Sequence, residues 1–485
     1  MESAATATDR PPATSMPDLP LYNRSADRSL ALFDAPGWHP TALQRVGLVL
    51  VAVGLGAALV AWSSGLAAAH PLAFALLSMG GLSAGGLAYA LGGLQHPAGV
   101  RTEGTMASST KARGAIGWVL ALLLTGLYLC LYLKPSLLAG LVPIGDPLSR
   151  LVRRQPATLD NGGQWFLYGT VYTLAVVVMG ARAAVRYRHS RYHLLRTASV
   201  VFFQLVVAFI LPQVLVRLGQ PELYPNILWP LDYDLFFPWK VAELRAEGAL
   251  GLAMLVWGGV AFLVATPVLT FYFGKRWYCS WVCGCGGLAE TAGDPFRHLA
   301  PRGTRAWQIE RWMVHGVLAL IVVGTALMWV AAGSGLEWMT VTADTFGWLY
   351  GLLIGALFAG VAGVGFYPVL GSRIWCRYGC PMAAVLGLQQ RFFSRFRITT
   401  NGGQCISCGN CSAYCEMGID VKAYAQRGQN VVRASCVGCG VCATVCPRGV
   451  LRLENGRDTS GASRAGVPVN NLIGDLEILD GAFDA

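Results

Sequence analysis

Eight apolar stretches, at roughly 43–67, 72–95, 114–134, 164–181, 199–216, 249–274, 312–332 and 347–370, are each long enough to cross a bilayer as a helix. Short polar loops separate them, and the apolar runs stop after residue 370. The first forty-two residues are rich in Ala, Ser, Pro, Asp and Thr and lack a basic, apolar, cleavable signal, so they read as a disordered cytoplasmic leader before an uncleaved first helix. The pattern predicts four parts: a leader over 1–42, a transmembrane domain over 43–397, a cysteine-rich soluble domain over 398–456 and a polar tail over 457–485.

Composition agrees with a membrane as the solvent. Apolar residues make up 54% of the chain and charged residues 13%, with a mean hydropathy of +0.49, which excludes an ordinary soluble protein. The net charge of +11 raises nucleic acid as a partner. The basic residues argue against it, because they sit in short loops between apolar runs rather than on one soluble face. Loops 96–113, 182–198, 275–311 and 371–397 hold 19 Lys and Arg, whereas 68–71, 135–163, 217–248 and 333–346 hold 6. The positive-inside rule then places both termini in the cytoplasm and the chain, multi-pass, in the cytoplasmic (inner) membrane among its lipids.

Thirteen of the 14 cysteines follow position 278. A disulfide scaffold would spread them along a short, loop-rich chain, so tight motifs point instead to metal ligation on a reducing side. The run Cys405-x2-Cys408-x2-Cys411-x3-Cys415 recurs 31 residues later as Cys436-x2-Cys439-x2-Cys442-x3-Cys446-Pro447. This is the bacterial ferredoxin run present twice. Three close thiolates wrap one cubane and the fourth cysteine of each run crosses to the other. Cluster 1 then takes Cys405, Cys408, Cys411 and Cys446, and cluster 2 takes Cys436, Cys439, Cys442 and Cys415. Gly409, Gly438 and Gly440 permit the tight backbone that brings amide N–H groups onto sulfur. The expected fold is an α-helical polytopic membrane protein of about eight transmembrane helices with a C-terminal α+β ferredoxin domain holding two [4Fe–4S] clusters. With no substrate-binding insertion around the two runs, the expected role is an electron wire rather than a stand-alone enzyme.

A weaker repeat follows the inner ends of helices six and eight. Gly274-Lys275-Arg276-Trp277-Tyr278-Cys279-x3-Cys283 matches Gly371-Ser372-Arg373-Ile374-Trp375-Cys376-x3-Cys380, with equivalent cysteines 97 residues apart. Cysteines at i and i+4 share a face if the helix continues through them, so two such helices side by side present Cys279, Cys283, Cys376 and Cys380 to an additional metal or redox centre. The alternative is small buried cysteines at a close helix contact. Cys285 adds a fifth thiol, and Cys130, mid-helix, reads as core.

Other features carry less. The acidic, aromatic outer loop 217–248 (Glu222, Tyr224, Trp229, Asp232, Tyr233, Asp234, Phe236, Phe237, Trp239) reads as an interfacial aromatic belt, with a partner or quinone headgroup docking there as the alternative. The inner segment Arg182–Arg196, with Arg186, Arg188, His189, Arg191 and His193, is expected to fix orientation, anionic lipid being the alternative. Haem has no Cys-x2-Cys-His, and only His315 lies clearly inside a predicted span. Neither a P-loop nor a dinucleotide fingerprint is present.

Paired Cys-x3-Cys motifs followed by a double ferredoxin run resemble the NapH/NosR/CcoG family of membrane polyferredoxins, over approximately residues 249–456. The family's usual Cys-x3-Cys-Pro is complete at Cys376, Cys380 and Pro381, while Cys279 and Cys283 lack the proline. The first ferredoxin run continues Cys415-Glu416-Met-Gly-Ile-Asp where Cys-Pro-Met-Gly-Ile-Asp is usual. The resemblance implies electron relay between a quinol or low-potential donor and the redox subunits of a partner complex. Likeness to CcoG implies a second class, a copper-handling assembly factor, and a redox sensor is a third. The large outer flavin domain of NosR-type members and the extra C-terminal domain of CcoG-type members are not expected here, and helices one to five fall outside the resemblance.

Overall fold

The computed structural model describes residues 41–93, 106–401 and 404–455; the expected tail and nearly all of the expected leader lie outside the described residues. Seven helices are long and apolar enough to cross a membrane: α1 (Ala42–Ser64), α2 (Pro71–Gly92), α4 (Gly163–Arg186), α5 (Arg191–Arg217), α6 (Ala249–Phe273), α7 (Thr304–Ser334) and α8 (Glu337–Gly365). Between them α3 (Met106–Leu133) contributes a shorter apolar stretch, Gly117–Leu133. Every apolar run in the sequence falls on one of these eight. Four (α3, α5, α7 and α8) begin earlier than hydropathy marks them, because polar first turns lie outside an apolar window yet continue the helix. At α5 the side chain of Ser190 caps the backbone N–H of His193 at 3.4 Å, which starts the helix at Arg191 and carries His193 into it.

Proline shapes the interior of the bundle. Pro212 and Pro267 each follow a widened, π-type stretch (Phe203–Ile210 and Ala261–Ala265), as expected where a residue without an N–H must stay in a helix. The hydroxyl of Thr266 donates to the carbonyl of Ala261 at 2.8 Å and satisfies part of the disrupted ladder.

Two loops do not stay at the surface. After α6 and after α8 the chain reverses at Gly274 (φ 66°, ψ −173°) and Gly371 (φ 94°, ψ 171°), conformations that glycine adopts without a Cβ penalty. Both cysteine motifs thereby fold back into the bundle. Trp277 Nε1 donates to Thr270 Oγ1 of α6 at 3.0 Å, and Trp375 packs edge-on against Phe358 of α8. Gln204, midway along α5, donates to the carbonyl of Val282 at 2.7 Å, and Tyr172 of α4 donates to that of Gly284 at 2.6 Å. The motifs follow helix ends in sequence but lie against the middle of α4 and α5 in space.

From the other side, segment 220–237 enters the bundle. Tyr278 OH donates to the carbonyl of Asn226 at 3.0 Å, Trp229 stacks edge-on with Phe262, and Tyr233 lies against Tyr350. The aromatic belt expected here is therefore corrected: of its aromatic residues only Tyr224 and Trp239 are exposed, and the rest wedge between α6, α7 and α8. Eight apolar helices leave a gap that short side chains do not fill, and large rings fill it with the greatest buried area per residue.

The soluble part closes with a two-stranded antiparallel sheet, β1 (Arg397–Thr400) on β2 (Leu451–Glu454), registered Arg397 to Glu454, with Ile398 also bridging to Val431. Its apolar face is continuous with the membrane domain. One core cluster holds Phe396, Ile398, Leu451 and Leu453 together with Tyr278, Cys279 and Cys283.

Candidate metal centres

The ferredoxin repeat builds two small pockets. One is lined by Cys405, Cys408, Cys411 and Cys446, and the other by Cys415, Cys436, Cys439 and Cys442. Each run thus gives three thiols to one pocket and its fourth to the other. The local reason is the turn. Gly409 and Gly440, 31 residues apart, stand at φ 82° and 80° and start the short helices carrying Cys411 and Cys442. The fourth sulfurs are also equivalent: Ile419 N–H donates to Cys415 Sγ and Val450 N–H to Cys446 Sγ, both at 3.4 Å. Four soft donors around a closed pocket, with amides aimed at sulfur, suit a four-iron cluster that moves electrons without taking a substrate. The pockets differ in surroundings. Cys408 and Ile406 are exposed, whereas the second pocket is covered by Tyr192, Arg276 and Arg297 of the membrane domain.

The membrane motifs do not form the continuous helices that the i, i+4 spacing suggested. A short helix (Arg276–Cys279) ends at the first cysteine, and Cys283 is the residue preceding the next (Gly284–Glu290). The second copy repeats this with Ile374–Tyr378 and Pro381–Phe393, where Cys380 Sγ accepts the N–H of Ala383 at 3.4 Å. A turn between the cysteines is what two short helices at an angle require. It still brings the four thiols together: Cys279, Cys283, Cys376 and Cys380 are mutual electrostatic neighbours, and each is about 5–6% exposed. Thiols sealed in this way are not placed for exchange with solvent disulfides.

Spacing separates the kinds of centre. Tetrahedral thiolates at about 2.3 Å from one zinc ion stand roughly 3.8 Å apart. Among the described residues, the set of three carboxylate or thiol ligand atoms within 4.8 Å of one another is Glu290, Glu416 and Cys439. The membrane quartet is more open than that, as are both ferredoxin quartets. The compact triad is no metal site, because its carboxylates are already neutralised by arginine.

That neutralisation docks the ferredoxin part. Glu290 binds Arg373 at 2.7 Å, Arg297 at 2.9 Å and Arg196 at 3.0 Å, while Glu416 binds Arg373 at 3.0 Å and Arg297 at 3.3 Å. Arg297 also holds Asp294, which takes Arg182 at 2.6 Å and the hydroxyl of Tyr187 at 2.8 Å. Burial alone would raise the Glu416 carboxyl, but the guanidiniums of Arg373 and Arg297 outweigh it and hold it down at about 2. Burial likewise raises Asp294, but Arg186, Arg297 and Arg182 outweigh it and keep the carboxyl far below the usual carboxylate range. The network touches both kinds of thiol: Arg373 Nη1 lies 3.7 Å from Cys376 Sγ and Arg297 Nη1 lies 3.9 Å from Cys439 Sγ. Backbone carbonyls complete the seam, with Tyr192 OH on Gly438 and Ser280 Oγ on Val437, each at 2.8 Å.

These are the residues the sequence did not mark. Arg182, Arg186 and Arg196 were expected to fix orientation, and their charges instead serve the docking network. Glu416, the departure noted in the first ferredoxin run, was the visible sign. Glu416→Gln is expected to cost the docked state about 3–5 kcal/mol, the penalty for removing one partner from a buried ion pair. Limited proteolysis checks it: the variant should release a 404–455 fragment faster at unchanged iron content, and equal rates would show that the network does not dock the domain.

Residues 404–451 match the model of a 4Fe-4S dicluster domain, and residues 255–302 and 352–399 each match that of a 4Fe-4S binding domain. The chain carries 4Fe-4S ferredoxin-type domains. It is similar to the "Putative electron transport protein YccM" of Escherichia coli (strain K12), 30% identical over 221 residues covering 41% of this chain and 54% of that protein. It is also similar to the "Methylamine utilization ferredoxin-type protein MauN" of Methylobacillus flagellatus, 27% over 243 residues (49% of this chain, 80% of that one), and to MauN of Paracoccus denitrificans, 29% over 191 residues (37% and 57%). The chain spans about half the length of YccM. No solved structure is a significant match. The paired 4Fe-4S segments coincide with the two folded-back cysteine motifs, and α1 to α5 lie outside both family models.

Proposed function

We propose that this chain is an electron-transfer subunit of a membrane redox complex, a polyferredoxin of the NapH/NosR/CcoG type. In this reading cluster 1 is held by Cys405, Cys408, Cys411 and Cys446, and cluster 2 by Cys436, Cys439, Cys442 and Cys415. Cys279, Cys283, Cys376 and Cys380 hold a third iron–sulfur centre within the bundle. Bound clusters supply one-electron chemistry. The chain's own residues set the order of the sites: Arg373 joins the membrane thiols to Glu416 beside cluster 2, and the exposed Cys405–Cys408 turn leaves cluster 1 open to a soluble partner. The observation that carries the proposal is this contiguity, two ferredoxin pockets stacked onto a buried thiol quartet through one ion-pair network.

The domain limits are taken as 43–397 for the membrane part and 398–456 for the ferredoxin part. Basic loops on one side support cytoplasmic termini in the inner membrane, where a quinone pool or a partner oxidoreductase supplies or takes electrons. The second reading, a copper-handling assembly factor, rests on the same buried thiols, since soft thiolates also select Cu(I). One experiment separates them. Native membranes given a respiratory donor under anaerobic conditions should show the ferredoxin EPR signals cycle, with the mildly purified chain holding far less than one copper. Stoichiometric copper together with signals indifferent to every donor and acceptor would replace electron relay by metal handling.

A further inference from the structure

A cavity of about 590 Å³ lies at the inner edge of the bundle, between the first turns of α7, the helix Pro381–Phe393 and the ferredoxin part. Its size is that of a small-molecule site. Six cationic side chains line it, Lys275, Arg302, Arg311, Arg377, Arg391 and Arg433, against two carboxylates, Glu310 and Asp420. Glu310 neutralises one of the six, and Asp420 is held within its own segment. Glu310 binds Arg377 at 2.6 Å, and Asp420 accepts the hydroxyl of Ser412 at 2.8 Å while capping the helix Val421–Gln426.

Three of the cations have structural work as well: Lys275 and Arg302 donate to the carbonyls of Ala434 and Ala413, and Arg433 lies over the ring of Trp307. Arg311 and Arg391, on facing helices, have no ion-pair partner among the described residues. Val314, Ala383, Ala384, Met417 and Ile419 give the wall its apolar part, beside Thr304, His315, Tyr424 and Ser435. Cationic and apolar side chains in one cavity fit an amphipathic anion.

We propose that this cavity binds a phosphate-bearing anion, and that its source is the headgroup of an anionic phospholipid of the cytoplasmic leaflet. Location favours the lipid. The cavity opens beside side chains left bare toward the bilayer, Trp312 at 80% and Phe393 at 70% exposure, which place its mouth at headgroup level. Basic pockets between helices on the cytoplasmic side are where such headgroups bind. A lipid seated here touches α7, the Pro381–Phe393 helix and the 417–435 stretch at once, and so ties the ferredoxin part to the bilayer.

Native mass spectrometry of the full, cluster-loaded chain tests this after addition of phosphatidylglycerol, phosphatidylcholine or inorganic phosphate in detergent. The wild type should retain one phosphatidylglycerol about tenfold or more in preference to phosphatidylcholine. The double variant Arg311→Gln, Arg391→Gln should lose that preference, with its cluster EPR signals unchanged as the control for folding. Retention of inorganic phosphate as firm as that of the lipid would keep the anion site and assign it to a soluble phosphoester. No preference in the wild type, or an equal one in the variant, overturns the proposal.

Discussion

Anaerobically purified wild-type protein is expected to contain about twelve iron and twelve sulfide per chain, and Cys376→Ser about eight. Eight belong to the ferredoxin pockets, each lined by four thiols, and four to the quartet that Cys279, Cys283, Cys376 and Cys380 form. Cys442→Ser should remove iron from the ferredoxin part instead, since its thiol lines only the second pocket there. A wild-type content of eight would leave the membrane thiols without an iron centre. A content near four would break the ferredoxin reading itself.

Electron transfer through the membrane domain should then be abolished by Cys279→Ser or Cys376→Ser while both ferredoxin EPR signals persist. Neither residue lines a ferredoxin pocket, so those eight thiols form a closed set without them. Serine is nearly isosteric with cysteine, and one buried hydroxyl costs about 1–3 kcal/mol, which a helical domain of this size withstands. Turnover with an unmodified physiological partner is the measurement. Full turnover in both variants would reduce the motif to helix packing. Loss of the ferredoxin signals, or of the protein from the membrane, would make the thiols structural.

What the sequence disclosed and what it hid divide along a physical line. The helices were legible because membrane burial imposes a long apolar run that nothing else in the chain imitates, and α1 to α8 lie on the eight runs. The ferredoxin quartets were legible because their spacing is local: a turn and one short helix bring Cys405, Cys408 and Cys411 together. The quartet in the membrane was legible only as a duplication. Its geometry was not, because Gly274 and Gly371 turn the chain back, and whether the chain is straight or reversed after a glycine is decided by what packs against it. Glu290, Asp294 and Arg297 left no local trace. A buried ion-pair network is made of residues far apart in sequence, here 182 to 416, and each looks like an ordinary loop charge until the partner arrives.

The folded-back motifs also have an electrical consequence. Arg196, at the cluster 2 seam, and Gln204, hydrogen-bonded to the carbonyl beside Cys283, stand eight residues apart on one helix, α5. Counted from residue 199, where the apolar run of that helix begins, Gln204 lies about 7.5 Å along the axis, roughly a quarter of the hydrocarbon thickness. In the proposed orientation, with the ferredoxin part in the cytoplasm, an electron passing from it to thiols at that depth crosses about that share of the transmembrane voltage. At about 2.3 kcal/mol per charge per 100 mV for the whole membrane, the share is worth roughly 0.6 kcal/mol per 100 mV. An inside-negative potential pushes the electron outward, so the energised state of the cell itself biases this step, and collapsing the voltage removes the bias without altering a single contact.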